Sequence, residues 1–166
     1  MPKSADNALE SFAPAFLGMR MGRLVDDIIA AGNVLAGEME IPLPVRSMSL
    51  ITLLAAGDHS VTELAQAVGQ THAAVIKNMK PLEAAGLVTK GSDASDGRRK
   101  PWTLTREGRA VANRLQPLLQ AGAAAFEELF SEIGVDLYAA VRRTEAALEQ
   151  RDMTRRMLEN AARPSG

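Results

Sequence analysis

The stretch that decides the fold runs from residue 62 to residue 88 and reads TELAQAVGQTHAAVIKNMKPLEAAGLV. Ser60 and Glu63 have the spacing of a capping box, in which each residue accepts a hydrogen bond from the backbone of the other at the start of a helix. Gly69 has the position of a C-cap, because glycine readily adopts the left-handed backbone that ends helices. These signals predict a short helix over residues 62–68.

A second helix is predicted over residues 72–85, after a very short turn. Thr71 is placed to cap it. Val75, Met79 and Leu82 recur at helical spacing on one face, and the opposite face is mostly polar. A short capped helix, a turn with glycine and a polar-faced helix have the order of a helix-turn-helix, whose second helix enters the major groove of DNA.

The sequence after the second helix is typical of a β-hairpin with a long tip. Residues 87–90 and 102–105 have the composition of two short strands. The loop between them is rich in turn formers and ends in a basic run at 98–100. Cations at such a tip can reach a phosphate backbone or a minor groove. Asp96 is expected to hold Arg98 in place through a charge-assisted hydrogen bond.

The charge distribution points to the same middle region. The chain of 166 residues has a formal net charge of −1. Residues 60–109 nevertheless carry eight basic and five acidic side chains, whereas residues 1–59 carry four basic and seven acidic ones. A basic segment within a neutral protein indicates a local contact with a polyanion, and a solvated charged face is the alternative.

Helical segments flank the middle region on both sides. Apolar residues recur at three- and four-residue steps over about 11–40, and a further helix is predicted over 45–56. After the hairpin, Thr105 is placed to cap a long helix, and one last helix is predicted over about 135–162. The expected fold class is therefore mainly α with a small β-hairpin.

Several classes of protein are excluded by composition. The absence of cysteine excludes disulfides, thiolate metal sites and a cysteine nucleophile. No apolar run approaches 18 residues and the N-terminus lacks the apolar core of a signal peptide, so a cytoplasmic protein without a membrane partner is expected. His59 and His72 make a weak case for a metal site. No catalytic triad order, phosphate loop or zinc spacing is present, so neither enzymatic activity nor a cofactor is expected.

Three motifs in this order resemble those of the MarR family of bacterial winged-helix regulators. Residues 82–88 read LEAAGLV and are similar to the family's LExxGLV. Residues 96–98 read DGR and are similar to its DxR, and residues 104–108 read LTREG and are similar to its LTxxG. One such motif alone is a weak signal, whereas the order and spacing of all three are fairly specific. The resemblance covers about residues 45–110.

The resemblance implies a winged helix-turn-helix protein with dimerisation helices at both ends. Residues 1–44 would form an N-terminal arm and dimerisation helix, 45–109 the DNA-binding region, and 110–166 the C-terminal dimerisation helices. The protein would be a homodimer that binds a pseudo-palindromic operator in double-stranded DNA, acts as a repressor and releases DNA when a small aromatic or anionic effector binds. The implied DNA contacts are Thr71, His72, Ala73, Ile76, Lys77, Asn78, Lys80, Arg98, Arg99 and Lys100.

Two features depart from the family pattern. Lys77 stands where the family commonly has arginine, and lysine lacks the bidentate fork of a guanidinium. Ala73, Ala74 and Ile76 leave the reading face with few hydrogen-bonding groups, so contacts with thymine methyl groups are expected. The apolar face and the near-neutral charge favour an alternative, an interaction or dimerisation module that reads no operator. For His72, a contact with DNA and an exposed position at a helix start without such a contact are equally expected.

Candidate ligand-binding residues are Phe16, Met19 and Met48. Packing in the core or in the dimer is the alternative for all three. Met48 and Trp102 in particular are expected to pack in the core of the winged helix. No sequence pattern marks a ligand pocket.

Overall fold

The computed structural model describes residues 9–10, 12–91 and 101–163. Its elements in chain order are a 3-10 turn Ala13–Phe16, α1 Leu17–Glu38, α2 Val45–Ala56, α3 Val61–Val68, α4 His72–Ala84, β1 Val88–Lys90, β2 Trp102–Leu104, α5 Arg106–Ile133, α6 Leu137–Gln150 and α7 Met153–Ala161. This order confirms the mainly α class with one small hairpin. The chain divides into two compact units, one ending at Leu119 and the other beginning at Gln120.

The first unit is built around one hydrophobic core. Its buried apolar side chains come from the last turn of α1, from α2 to α5, from both strands and from the links that follow α1 and α4. Met48 and Trp102 are each 3% exposed within it, which confirms their expected place in the core. Burial of a large apolar side chain contributes about 1.5–3 kcal/mol, so this cluster is the main source of the unit's stability.

The helix caps follow the sequence signals closely. The Ser60 hydroxyl accepts a hydrogen bond from the Glu63 amide (3.3 Å), and the Glu63 carboxylate accepts one from the Ser60 amide (2.7 Å). Gly69 has a left-handed φ of 62° at the end of α3. The Thr71 hydroxyl accepts from the Ala74 amide at 3.2 Å. The turn between α3 and α4 is therefore fixed by local hydrogen bonds on both sides.

The two strands form an antiparallel pair in which Val88 lies opposite Leu104 and Lys90 opposite Trp102. His59, which precedes α3, extends this pair: its amide donates to the Trp102 carbonyl (3.1 Å) and its carbonyl accepts from the Trp102 amide (2.7 Å). No signal in the sequence predicted this pairing. The bridge ties the hairpin to the start of the helix-turn-helix.

The second unit corrects one prediction. A single helix over 135–162 is wrong, because α6 and α7 are separated at Arg151, whose backbone is extended (φ −148°, ψ 106°). The Asp152 carboxylate caps α7 by accepting from the amide three residues later, at 2.9 Å. The Arg156 guanidinium donates to the carbonyls of Ala147 (2.9 Å) and Arg151 (2.8 Å), which satisfies carbonyl groups at the end of α6. Within the described ranges, no helix is both long and apolar enough to cross a membrane.

Candidate nucleic-acid interface

Helix α4 has one buried side and one exposed side. Val75, Met79 and Leu82 are at most 2% exposed and fix the helix to the core. Residues on the opposite side recur one, four, five and eight positions after His72 and therefore share a face. We call this set the α4 face: Thr71, His72, Ala73, Ile76, Lys77 and Lys80, all of them exposed.

The N-terminal end of α4 has the properties of an anion-binding helix terminus. The Thr71 hydroxyl accepts a hydrogen bond from the Ala74 amide, so one of the first amide groups of α4 already has a partner. The other amides of the first turn have no partner inside the helix, and the helix dipole adds a partial positive charge there. The side chains next to them, His72 and Ala73, are exposed. A phosphate can thus approach this end of the helix.

Asn78 differs from the rest of the predicted contacts. Its side chain is half-buried, and its Nδ2 group donates to Oε1 of Gln70 at 3.2 Å. This bond braces the turn between α3 and α4, so part of the Asn78 amide is already occupied. Sequence reasoning did not single out Gln70. Its only signal was a polar residue directly before the cap at Thr71.

Charge on the α4 face comes from two lysines. Lys77 and Lys80 form no ion pair with any residue that the structure describes. The carboxylate of Glu63 on the neighbouring helix is engaged in the capping box. Lys90 lies with its ammonium group 4.9 Å from the centroid of the Trp102 ring, a cation–π contact. As far as the described residues go, no carboxylate neutralises the two lysines of α4, so both can contact an external anion.

The wing is described only at its base. Asp96, Arg98, Arg99 and Lys100 lie outside the described residues, and their roles stay predictions. The Gly91 amide donates to the Pro101 carbonyl at 2.7 Å, so the hairpin holds together the two residues that flank this segment.

The three candidate ligand-binding residues lie in different environments. Met48 is part of the hydrophobic core, whereas Met19 on α1 is 46% exposed and Phe16 is half-buried at the end of the 3-10 turn. Their joint role in ligand binding stays a prediction. In the part of the chain that the structure describes, no group of three acidic or histidine side chains could hold a metal ion.

Residues 42–99, which span the helix-turn-helix, β1 and part of the wing, match the MarR family model. These residues are therefore similar to the MarR family. The chain is also similar to a curated protein, the HTH-type transcriptional repressor Rv2887 of Mycobacterium tuberculosis. The two are 39% identical over 62 residues, which is 37% of this chain and 45% of that protein. The chain thus aligns with less than half the length of this relative.

Two solved structures share the fold over most of the chain. The S. aureus MepR–DNA complex superposes with a TM-score of 0.66 at 16% identity and covers 79% of this chain and 97% of that one. The transcriptional repressor CouR, bound to a 23-mer DNA duplex, gives a TM-score of 0.62 at 22% identity and covers 82% of this chain and 94% of that one. At these identities the likeness shows the fold alone, that of a winged helix.

Proposed function

We propose that this protein is a homodimeric transcription repressor that reads an operator with the α4 face. The observation that carries the proposal is the α4 face itself, an exposed stripe on a helix that three buried side chains fix to the core. Its two lysines form no ion pair with a residue in the described part of the chain. Small residues at its beginning allow close approach to base edges in a major groove about 12 Å wide. Two similar structures, MepR and CouR, are complexes with DNA.

Each part of the α4 face has a role that its chemistry suits. Lys77 and Lys80 are expected to contact phosphates as point charges. Ala73 and Ile76 present methyl groups, which are suited to the methyl group of thymine. His72 offers a polar ring at the helix start, where it reaches either a base edge or a phosphate. In this proposal the wing cations at 98–100 add contacts in the minor groove.

The second unit supports a homodimer. None of its described residues, from 120 to 163, is buried. Large apolar side chains are exposed there, namely Leu129, Ile133, Val135, Tyr138, Met153, Met157 and Leu158. Such a surface is stabilised by a partner, and a second copy related by a twofold axis is the commonest one. A twofold dimer presents two α4 helices to DNA, about one helical turn or 10 base pairs apart.

Sedimentation equilibrium tests the dimer directly. The expected mass is twice the 17.7 kDa of one chain at micromolar concentration. A monomer at tens of micromolar would contradict this part of the proposal. Ile133→Asp should shift the protein toward the monomer, since it places a charge on the exposed apolar surface.

Release by a small aromatic or anionic effector completes the proposal and is supported by the family resemblance. A ligand that binds the folded state raises the melting temperature. A panel of aromatic acids is therefore expected to contain compounds that raise Tm and weaken DNA binding. If no compound in a broad panel does so, the proposal that an effector releases DNA is wrong, while the proposal of DNA binding is unaffected.

Selection from a random duplex pool at about physiological salt tests operator reading. The enriched sequences are expected to contain an inverted repeat with half-sites about 10 base pairs apart, bound with an affinity that falls steeply with salt. The doubly substituted Lys77→Ala, Lys80→Ala protein is expected to enrich it much more weakly. If wild-type protein refolded without ligand enriches nothing and shifts no duplex, the interaction-module alternative takes its place.

A further inference from the structure

The C-terminal end of α1 has an unusual backbone. The Ile41 amide donates to the Ala36 carbonyl (2.8 Å) and the Glu40 amide to the Gly37 carbonyl (3.0 Å), which is the hydrogen-bond pattern of a Schellman motif. That motif requires a left-handed residue, which is commonly glycine. Here it is Glu40, with φ of 51°.

Arg114 of α5 binds this helix end. Its guanidinium donates to the carbonyls of Met39 (3.1 Å) and Glu40, which lie about 75 residues earlier in the chain. A cation at a helix C-terminus is stabilised by the helix dipole, and hydrogen bonds from a charged donor are the stronger kind. Arg114 therefore links the end of α1 to a helix of the winged-helix core.

A second contact joins the same half of α1 to α2. The Asn33 side chain accepts a hydrogen bond from the amide of Val45, in the first turn of α2, at 3.0 Å. Gly32 lies so near Val45 that a Cβ atom there would be 2.7 Å from its Cγ2. The last turns of α1 are thus fixed at two separate points, whereas its first half exposes Leu17, Met21 and Leu24.

We propose that Arg114 and Asn33 are positioning residues that fix the direction of α1 relative to the winged-helix core and so set the operator spacing that the dimer accepts. This inference rests on the proposed function. A helix of 22 residues is about 33 Å long, so a rotation of about 10° at its anchored end moves the other end by about 6 Å. We call the contacts of Arg114 and Asn33 with the two ends of the α1–α2 link the anchor. The family resemblance implies that α1 is part of the dimer interface, and one base-pair step is about 3.4 Å, so in the proposed dimer small changes at the anchor would alter the spacing of the two α4 helices.

The first test measures the distance between α1 and α3 in the absence of DNA. Because the chain has no cysteine, Arg23→Cys on α1 and Gln66→Cys on α3 can carry spin labels. Labelled protein is mixed with excess unlabelled protein, so that distances within one protomer are measured. The distribution is expected to broaden in Arg114→Ala and in Asn33→Ala, and to stay narrow in Arg109→Ala, which removes an exposed cation from the same helix. An unchanged distribution in Arg114→Ala and Asn33→Ala overturns the inference.

The second test measures spacing preference with the duplex that wild-type protein selects. We compare the affinity for this duplex with the affinity for a duplex that has one base pair inserted at its centre. In Arg114→Ala the ratio of the two affinities is expected to fall about tenfold, while the affinity for a single half-site is unchanged. Arg109→Ala should keep the wild-type ratio. If Arg114→Ala does not fold, Arg114→Lys replaces it, because lysine keeps the charge without the guanidinium geometry.

The two proposals fail in different ways. If wild-type protein selects no operator, the proposed function fails and with it the role in spacing, while the distance measurement still decides whether the anchor exists. If Arg114→Ala broadens the distances and yet keeps the spacing preference of wild type, the anchor stands and its role in spacing is overturned.

Discussion

The carbonyl oxygen of Leu87 lies 1.9 Å from the point that a Cβ atom on Gly108 would occupy. The start of β1 and the first turn of α5 are therefore in direct backbone contact. Thr105 completes the junction, because its hydroxyl donates to the Gly86 carbonyl (2.6 Å) and accepts from the Gly108 amide (3.0 Å). This contact explains why the motif at 104–108 combines a threonine with a glycine three residues later.

Gly108→Ala is expected to destabilise the protein by about 2–4 kcal/mol, since the added methyl group meets backbone that cannot move without breaking the junction. Gly122→Ala in the same helix is the matched control. Nothing lies within 4 Å of its added Cβ, so it is expected to stabilise α5 by up to about 1 kcal/mol. Urea denaturation of both variants checks this prediction, and equal stabilities of the two would contradict the contact.

Glu40→Gly is expected to stabilise the protein by about 0.5–1 kcal/mol. Glu40 is the one non-glycine residue with positive φ in the described ranges, and a left-handed backbone is strained for an L residue. Glu38→Gly is the control, because it lies in the last turn of α1 and should destabilise by about as much. The midpoints of urea unfolding distinguish the two, and a lower midpoint for Glu40→Gly would contradict the Schellman motif.

Lys77→Ala is expected to weaken duplex binding at low salt and to lower the slope of log K against log salt by about one. The reason is that one phosphate contact, and the counterions that it releases, would be lost. Arg23→Ala removes the same charge from α1, outside the proposed interface, and should leave the slope unchanged. Titrations over a range of salt concentrations measure both. Equal slopes for the two variants would remove Lys77 from the interface.

Replacement of thymine by uracil in the selected operator tests the apolar part of the α4 face. The thymine methyl group lies only in the major groove. At the position that Ile76 contacts, uracil is expected to weaken wild-type binding about fourfold per half-site, since a buried methyl group contributes about 0.8 kcal/mol. Ile76→Ala should bind both duplexes equally. If the variant still prefers thymine at every position, Ile76 makes no such contact.

Local signals in the sequence were enough to predict the helix-turn-helix. The caps at Ser60, Thr71 and Thr105 depend on residues three positions apart, and the glycines at 69 and 86 act through their own backbone. The buried and exposed sides of α4 follow from helical periodicity alone. For these reasons the prediction agreed with the structure where the contacts join residues only a few positions apart in the sequence.

Longer-range contacts were not predictable. The bond between Arg114 and Glu40 joins residues 74 positions apart, and no periodic pattern indicates it. The pairing of His59 with Trp102 is equally non-local. The break before Asp152 had a local signal, an aspartate at an N-cap position, but the continuous charged pattern on both sides concealed it.

Parallel selections with wild type and with His72→Ala, Ile76→Ala and Lys77→Ala test the central claim, that the α4 faces of a twofold dimer read the operator. The account predicts that wild type enriches an inverted repeat with half-sites about 10 base pairs apart. It also predicts that the variants change base preference or affinity equally in both half-sites. Enrichment of no repeat by wild type, or of the same repeat with the same affinity by all three variants, would contradict it.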